Sequence, residues 1–169
     1  METPRFALYL LLALAVLQVL VYYPQLPDRV ASHFDGSGHA NGWSSKQTFI
    51  VIDLVACALT AVIFLALSAV RWPDRLVNLP RKDYWLTPER REETFRFLNR
   101  QMLIFGCATL ILLLVVMQWT IEANLDGSQT IPAAPMWWLL GAYLLFSVVW
   151  VVRLVGHFRK VPAEPPANG

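Results

Sequence analysis

Polar residues nearly vanish from four stretches of this chain and crowd the segments between them. Residues 6–22 are apolar apart from Gln18. Residues 49–70 are broken only by Asp53, Thr60 and Ser68, and residues 102–121 and 136–152 form the third and fourth runs. Each run has about the length at which a helix crosses the hydrocarbon of a bilayer. A chain in lipid must satisfy its own backbone hydrogen bonds, so helix is the state expected for all four. The first run follows a short segment with Arg5 and could be read as a signal peptide. It ends in Tyr22-Tyr23-Pro24, without a small-x-small cleavage site, and is therefore taken as a span.

The charges give these spans an orientation. Twelve of the fourteen Lys and Arg residues fall before the first run, between the second and third, or after the fourth. Only Arg29 and Lys46 fall on the other side. By the positive-inside rule both termini are cytoplasmic and residues 24–47 lie outside. Tyr22, Tyr23, Trp43, Trp119, Trp137 and Trp138 mark the outer boundary, with Trp72 and Trp150 near the inner one. At 56% hydrophobic and 15% charged, the composition excludes an ordinary soluble domain, in which about a quarter of residues are charged. The net charge of +2 does not point to nucleic acid. The two cysteines, Cys57 and Cys107, fall about 10 Å apart in depth at 1.5 Å per residue. That is too far for a disulfide.

Two connecting segments carry most of the remaining information. In the outer one, Asp35-Gly36, Ser37-Gly38 and Asn41-Gly42 are turn signals, and Leu26, Val30, Phe34 and Trp43 can pack it onto the helix ends as an ordered cap. Ser44 or Ser45 is suited to cap the second helix. In the inner one, Thr87-Pro88-Glu89 starts a helix that places Phe95, Leu98 and Met102 on one face and continues into the third span. Lys82, Tyr84, Trp85, Arg90 and Arg91 form a candidate surface for a cytoplasmic partner or anionic lipid. Residues 161–169 are proline-rich and polar, and a disordered cytoplasmic tail is expected there.

The outer segment resembles a bacterial membrane family, domain of unknown function 1648. The shared pattern is Pro24, Leu26-Pro27, Arg29-Val30, His33-Phe34, Gly36, Gly38, Gly42-Trp43 and Lys46. Lys82 to Leu86 and Pro88 to Arg91 also look like a stretch found in members, and Ala31 departs from the second proline that members often carry. The family module is similar to the N-terminal part of a Bacillus immunity protein that protects against a toxin and signals its presence. The resemblance thus implies sensing or protection, in the inner membrane of a bacterium.

The chemistry on offer is modest. His33, Asp35 and His39 lie on the outer segment and are competent zinc ligands, but their spacing matches no established zinc signature. Hydrogen bonding that fixes the cap is the expectation, with no metal and no cofactor. Asp53, Gln18 and Gln118 fall at similar depth in the outer halves of three helices. An intramembrane carboxylate is a functional candidate by default. Here it is either an interfacial acid paired with Arg29 or the floor of a pocket roofed by Arg29, His33, Phe34, Asp35, His39 and Trp43. No catalytic arrangement appears. The expected fold is an all-α integral membrane four-helix bundle over residues 1–160, with an ordered extracytoplasmic segment and a cytoplasmic amphipathic helix. The expected function is non-enzymatic binding of an extracytoplasmic peptide or a membrane-protein partner, with membrane lipids around it. A small transporter or channel subunit, and a metal-dependent membrane enzyme, are the alternatives.

Overall fold

A computed structural model describes residues 2–160, so the tail expected at 161–169 lies outside the described residues. The elements are α1 (Glu2–Tyr22), β1 (Arg29–Phe34), β2 (Ala40–Ser45), α2 (Lys46–Ala69), α3 (Lys82–Trp85), α4 (Pro88–Leu125) and α5 (Ala133–Arg159). A single 3-10 turn, Asp74–Leu76, lies between α2 and α3. Helices α1, α2, α4 and α5 are each long and apolar enough to cross a membrane. All four expected spans are present, extended at one or both ends. Ser45 caps α2, its hydroxyl accepting from the Thr48 amide at 3.1 Å. α4 has 38 residues, about 57 Å at 1.5 Å per residue, so it projects well beyond a hydrocarbon layer of about 30 Å. It absorbs the amphipathic inner helix without a break. Phe95, Leu98 and Met102 do share a face, packed beside Trp72 and Leu76.

The fold is not all-α. The segment between α1 and α2 is an antiparallel β-hairpin, with Arg29 opposite Ser45 and Phe34 opposite Ala40. Register shifts between Ala31 and His33 and between His33 and Phe34 carry the strand through its turn toward the tip. Periodicity could not announce these strands. β1 buries Val30 and Ala31 consecutively and leaves Ser32 and His33 exposed, so the usual alternation is missing.

Nor do the four helices form one bundle. α1, α2 and α4 make the packed core. At the hairpin end, Val19, Leu26, Val30, Phe49, Ile50, Met117 and Ile121 cluster together. Deeper in the helices a second cluster joins Leu8, Ala15, Cys57, Ala61, Leu103 and Leu110. Gly106 sets the approach of α2 to α4, because a Cβ at that position would lie 2.7 Å from Cγ of Phe64. α5 has only α4 as its principal helical neighbour. Phe105 of α4 meets Tyr143, Phe146 and Trp150 of α5 with ring centroids 4.9–6.0 Å apart. Bulky rings at the contact hold two helix axes apart, whereas a glycine lets them close. Cys57 and Cys107 are both free thiols.

Candidate functional site

The hairpin is fastened to the helices by a residue that the sequence did not single out. Asn124, near the end of α4, is buried. Its Oδ1 accepts from the Ala31 amide at 2.7 Å, and its Nδ2 donates to the Ala31 carbonyl at 2.9 Å and to the Thr120 carbonyl at 2.8 Å. One side chain thus bonds β1 as a third strand would, satisfying both backbone groups of a residue with no solvent exposure. A signal was present: Met117, Ile121 and Asn124 are spaced i, i+4, i+7, which puts the amide on the buried stripe.

The hairpin tip is held from the other side by the α4–α5 connection. The Ala40 amide donates to the Gln129 carbonyl, and the Ile131 amide to the Gly38 carbonyl at 2.9 Å. Gly38 has φ +88, and a Cβ there would sit 2.3 Å from the Ile131 oxygen, so only glycine fits. Trp137 of α5 donates its Nε1–H to the Gly36 carbonyl at 3.0 Å.

These ties border an open-sided cavity of about 430 Å³ between the far end of β1, α4 and α5. Phe34, Val116, Met136, Trp137 and Leu140 supply apolar walls, and Ser32, His33, Asp35 and Thr120 contribute polar groups. Of the nine residues expected around an outer pocket, three line this one: His33, Phe34 and Asp35. Asp53, Gln18 and Gln118 do not, so the pocket with a carboxylate floor is corrected to a cavity displaced toward α5. Trp43 is 41% exposed and is no anchor; Leu26 and Val30 take that part.

Arg29 does not pair with Asp53. Its guanidinium lies over the Trp43 ring, 5.6 Å from the centroid, on the exposed edge of the hairpin. Lys46 reaches Asp28 at 2.9 Å and covers the Tyr23 ring. Both cations of this end therefore find local partners. Gln18 and Gln118 are brought together, Nε2 of Gln18 donating to Oε1 of Gln118 at 2.8 Å. Gln118 in turn donates to Oε1 of Glu122 at 2.9 Å and to the Tyr22 hydroxyl at 3.3 Å. The polar layer thus joins α1 to α4 and leaves Asp53 out.

The histidine cluster is used by the hairpin itself. Nδ1 of His33 bonds Oδ1 of Asn41 across the strands at 2.6 Å. Oδ1 of Asp35 accepts from the Ser37 amide, the Ser37 hydroxyl and the His39 amide at 2.8–3.0 Å. The Ser37 hydroxyl first, and then the His39 amide, hold the Asp35 carboxyl below its ordinary value. Nδ1 of His39 lies 3.2 Å from the Ser37 hydroxyl and 4.0 Å from Asp35. This is an Asx-type turn. Among the described residues no three His, Cys, Asp or Glu side chains are grouped to hold a metal ion.

At the opposite, basic end the aromatic residues face one another. Trp85 donates its Nε1–H to the Phe158 carbonyl at 2.9 Å and stacks on His157, which stacks in turn on Phe97 with centroids 4.2 Å apart. Arg90 lies 4.0 Å from the Tyr84 ring centroid, and Arg91 is paired with Asp74. Lys82 opens α3. Tyr84, Trp85 and Arg90 are thus brought together, largely in latching α3 and the C-terminal end of α5 to α4, whereas Arg91 turns away to the 3-10 turn.

Four helices able to span a bilayer, joined by a docked hairpin at one end and an aromatic latch at the other, define a multi-pass membrane protein. Residues 10–56, which cover most of α1, the hairpin and the first half of α2, match the family described as Domain of unknown function (DUF1648). The stretch Lys82–Arg91 lies outside the match. No curated protein and no solved structure matches the chain.

Proposed function

We propose that this is a non-enzymatic membrane module that binds an apolar peptide segment in the cavity beside the hairpin, on the extracytoplasmic side of a bacterial inner membrane. The observation that carries the proposal is the cavity itself. Its volume of about 430 Å³ lies within the ordinary range for ligand sites, about 300–1,000 Å³, and room for a few side chains is bounded by rigid rings. Its walls are apolar and its hydrogen-bonding groups few, which suits binding better than bond-making. It also borders a strand, and strand edges are a common means of holding an extended peptide. The 12-to-2 division of basic residues supports the orientation. Capture of a peptide outside the cell is the step that sensing and toxin immunity have in common.

The test is a photo-crosslinking residue at Met136, irradiated in cells. A discrete peptide adduct that is lost when Thr120→Trp fills the cavity supports the proposal. Adducts to lipid alone, or a peptide adduct indifferent to Thr120→Trp, refute it. Orientation is tested separately, in a background without Cys57 and Cys107. Ser37→Cys and Ser128→Cys should react with an impermeant maleimide in intact cells, and Asp83→Cys should not.

A further inference from the structure

At the basic end, a groove of about 280 Å³ lies between α4 and α5, lined by Phe97, Gln101, Ile104, Phe146, Val149 and Arg153, among others. A second cavity, of about 540 Å³, adjoins it on the side away from the spans and is lined by Trp85, His157, Lys160 and, again, Arg153. Arg153 therefore separates an apolar space from one bordered by cations. Its side chain is exposed, and among the described residues no carboxylate pairs with it. Trp150 donates its Nε1–H to Oε1 of Gln101 at 3.1 Å, which fixes the groove wall next to the cation.

Depth identifies the occupant. From Ala133, where α5 begins, to Arg153 is about 30 Å at 1.5 Å per residue, one hydrocarbon thickness. Arg153 is also the first charged residue after the apolar run of residues 136–152, so its long side chain can reach the lipid phosphates from the edge of the hydrocarbon. Phe146 and Val149 lie one to two turns deeper, at the level of the acyl chains. We propose that this groove is a site for one anionic phospholipid, its phosphate held at Arg153 and Lys160 and one acyl chain laid along Phe146 and Val149. A free phosphate would use the cations but not the groove; a neutral lipid would use the groove but not the cations. The site shares Trp85 with the surface of Lys82, Tyr84, Trp85, Arg90 and Arg91 but uses neither of its arginines, which are already engaged. It does not depend on the cavity at the hairpin end.

The test is native mass spectrometry of the full chain in neutral detergent, with phosphatidylglycerol or phosphatidylcholine of the same acyl chains added. One phosphatidylglycerol per chain should be retained in preference to phosphatidylcholine. Arg153→Gln should reduce that preference about fivefold, the worth of one basic side chain at an anionic surface. Arg96→Gln removes an equal charge from an exposed position on α4 that borders neither cavity, and it should leave the preference unchanged. Val149→Trp fills the groove without touching charge and should lower retention of both lipids, which keeps the proposal open to refutation even if Arg153→Gln fails to fold. Wild-type preference in Arg153→Gln, an equal loss in Arg96→Gln, unchanged retention in Val149→Trp, or displacement of the lipid by inorganic phosphate would each overturn the site.

Discussion

Removing the side-chain amide of Asn124 should release the hairpin from the helices. In the folded protein that amide satisfies the N–H and the C=O of Ala31, at 2.7 and 2.9 Å, in a place water does not reach. Asn124→Ala leaves both groups buried and unpaired. Each costs about 1–3 kcal/mol, so the docked hairpin is weakened by about 2–6 kcal/mol, less if a water enters the space left. Asn124→Asp should not rescue it, because a carboxylate offers no proton to the Ala31 carbonyl. The assay is trypsin cleavage after Arg29, in detergent. Arg29 opens β1 opposite Ser45, and a paired strand must open before a protease can hold it. When opening is fast relative to cutting, the rate follows the opening equilibrium, and 2 kcal/mol corresponds to about a 30-fold rise. Asn41→Ala, which loses only an exposed bond to His33, is the control and should change the rate little. Cleavage of Asn124→Ala at the wild-type rate would show that Asn124 does not hold the hairpin.

Three further outcomes are expected. Gly106→Val should cost about 1–3 kcal/mol by forcing α2 away from α4 at Phe64, seen as earlier labelling of buried Cys57 by a fluorogenic maleimide on heating. Ser45→Ala should cost about 1 kcal/mol through loss of the α2 cap and lower the same transition by a few degrees. Because the folded hairpin tip depresses the Asp35 carboxyl, its contribution is fully present above the unfolded value of 3.8 and is lost as pH falls through the lower, folded value. Amide exchange at Ser37 and His39, corrected for intrinsic rates, should therefore be level from pH 5 to 8 and accelerate only below about pH 4; acceleration that begins above pH 5 would refute the role given to Asp35.

Much of this protein was legible without a structure, and the reasons are local. Lipid removes water from the competition for backbone hydrogen bonds, so four long apolar runs could only be helices, and all four are. The cap at Ser45 and the start of α4 at Thr87-Pro88 depend on a few neighbouring residues. Asp35-Gly36-Ser37-Gly38 likewise declared a turn, and the Asp35 carboxylate closes it.

What needed the tertiary structure were the partners. Whether Gln18 meets Asp53 or Gln118 depends on the rotation of three helices about their axes, and span length carries no information on that. Arg29 had an apparent partner in Asp53 because both are charged and lie on one side. The hairpin points the guanidinium to the exposed ring of Trp43 instead. Strands β1 and β2 gain their stability from each other, from the α4–α5 connection and from Asn124, 93 residues beyond Ala31, so nothing in their own composition announced them. The position of α5 follows from a difference in contact size: a glycine brings α2 against α4, while four aromatic rings keep α5 at a distance and open both the cavity beside the hairpin and the groove at Arg153. Local chemistry selected the elements, and side-chain volumes brought together from distant parts of the chain decided where the spaces between them lie.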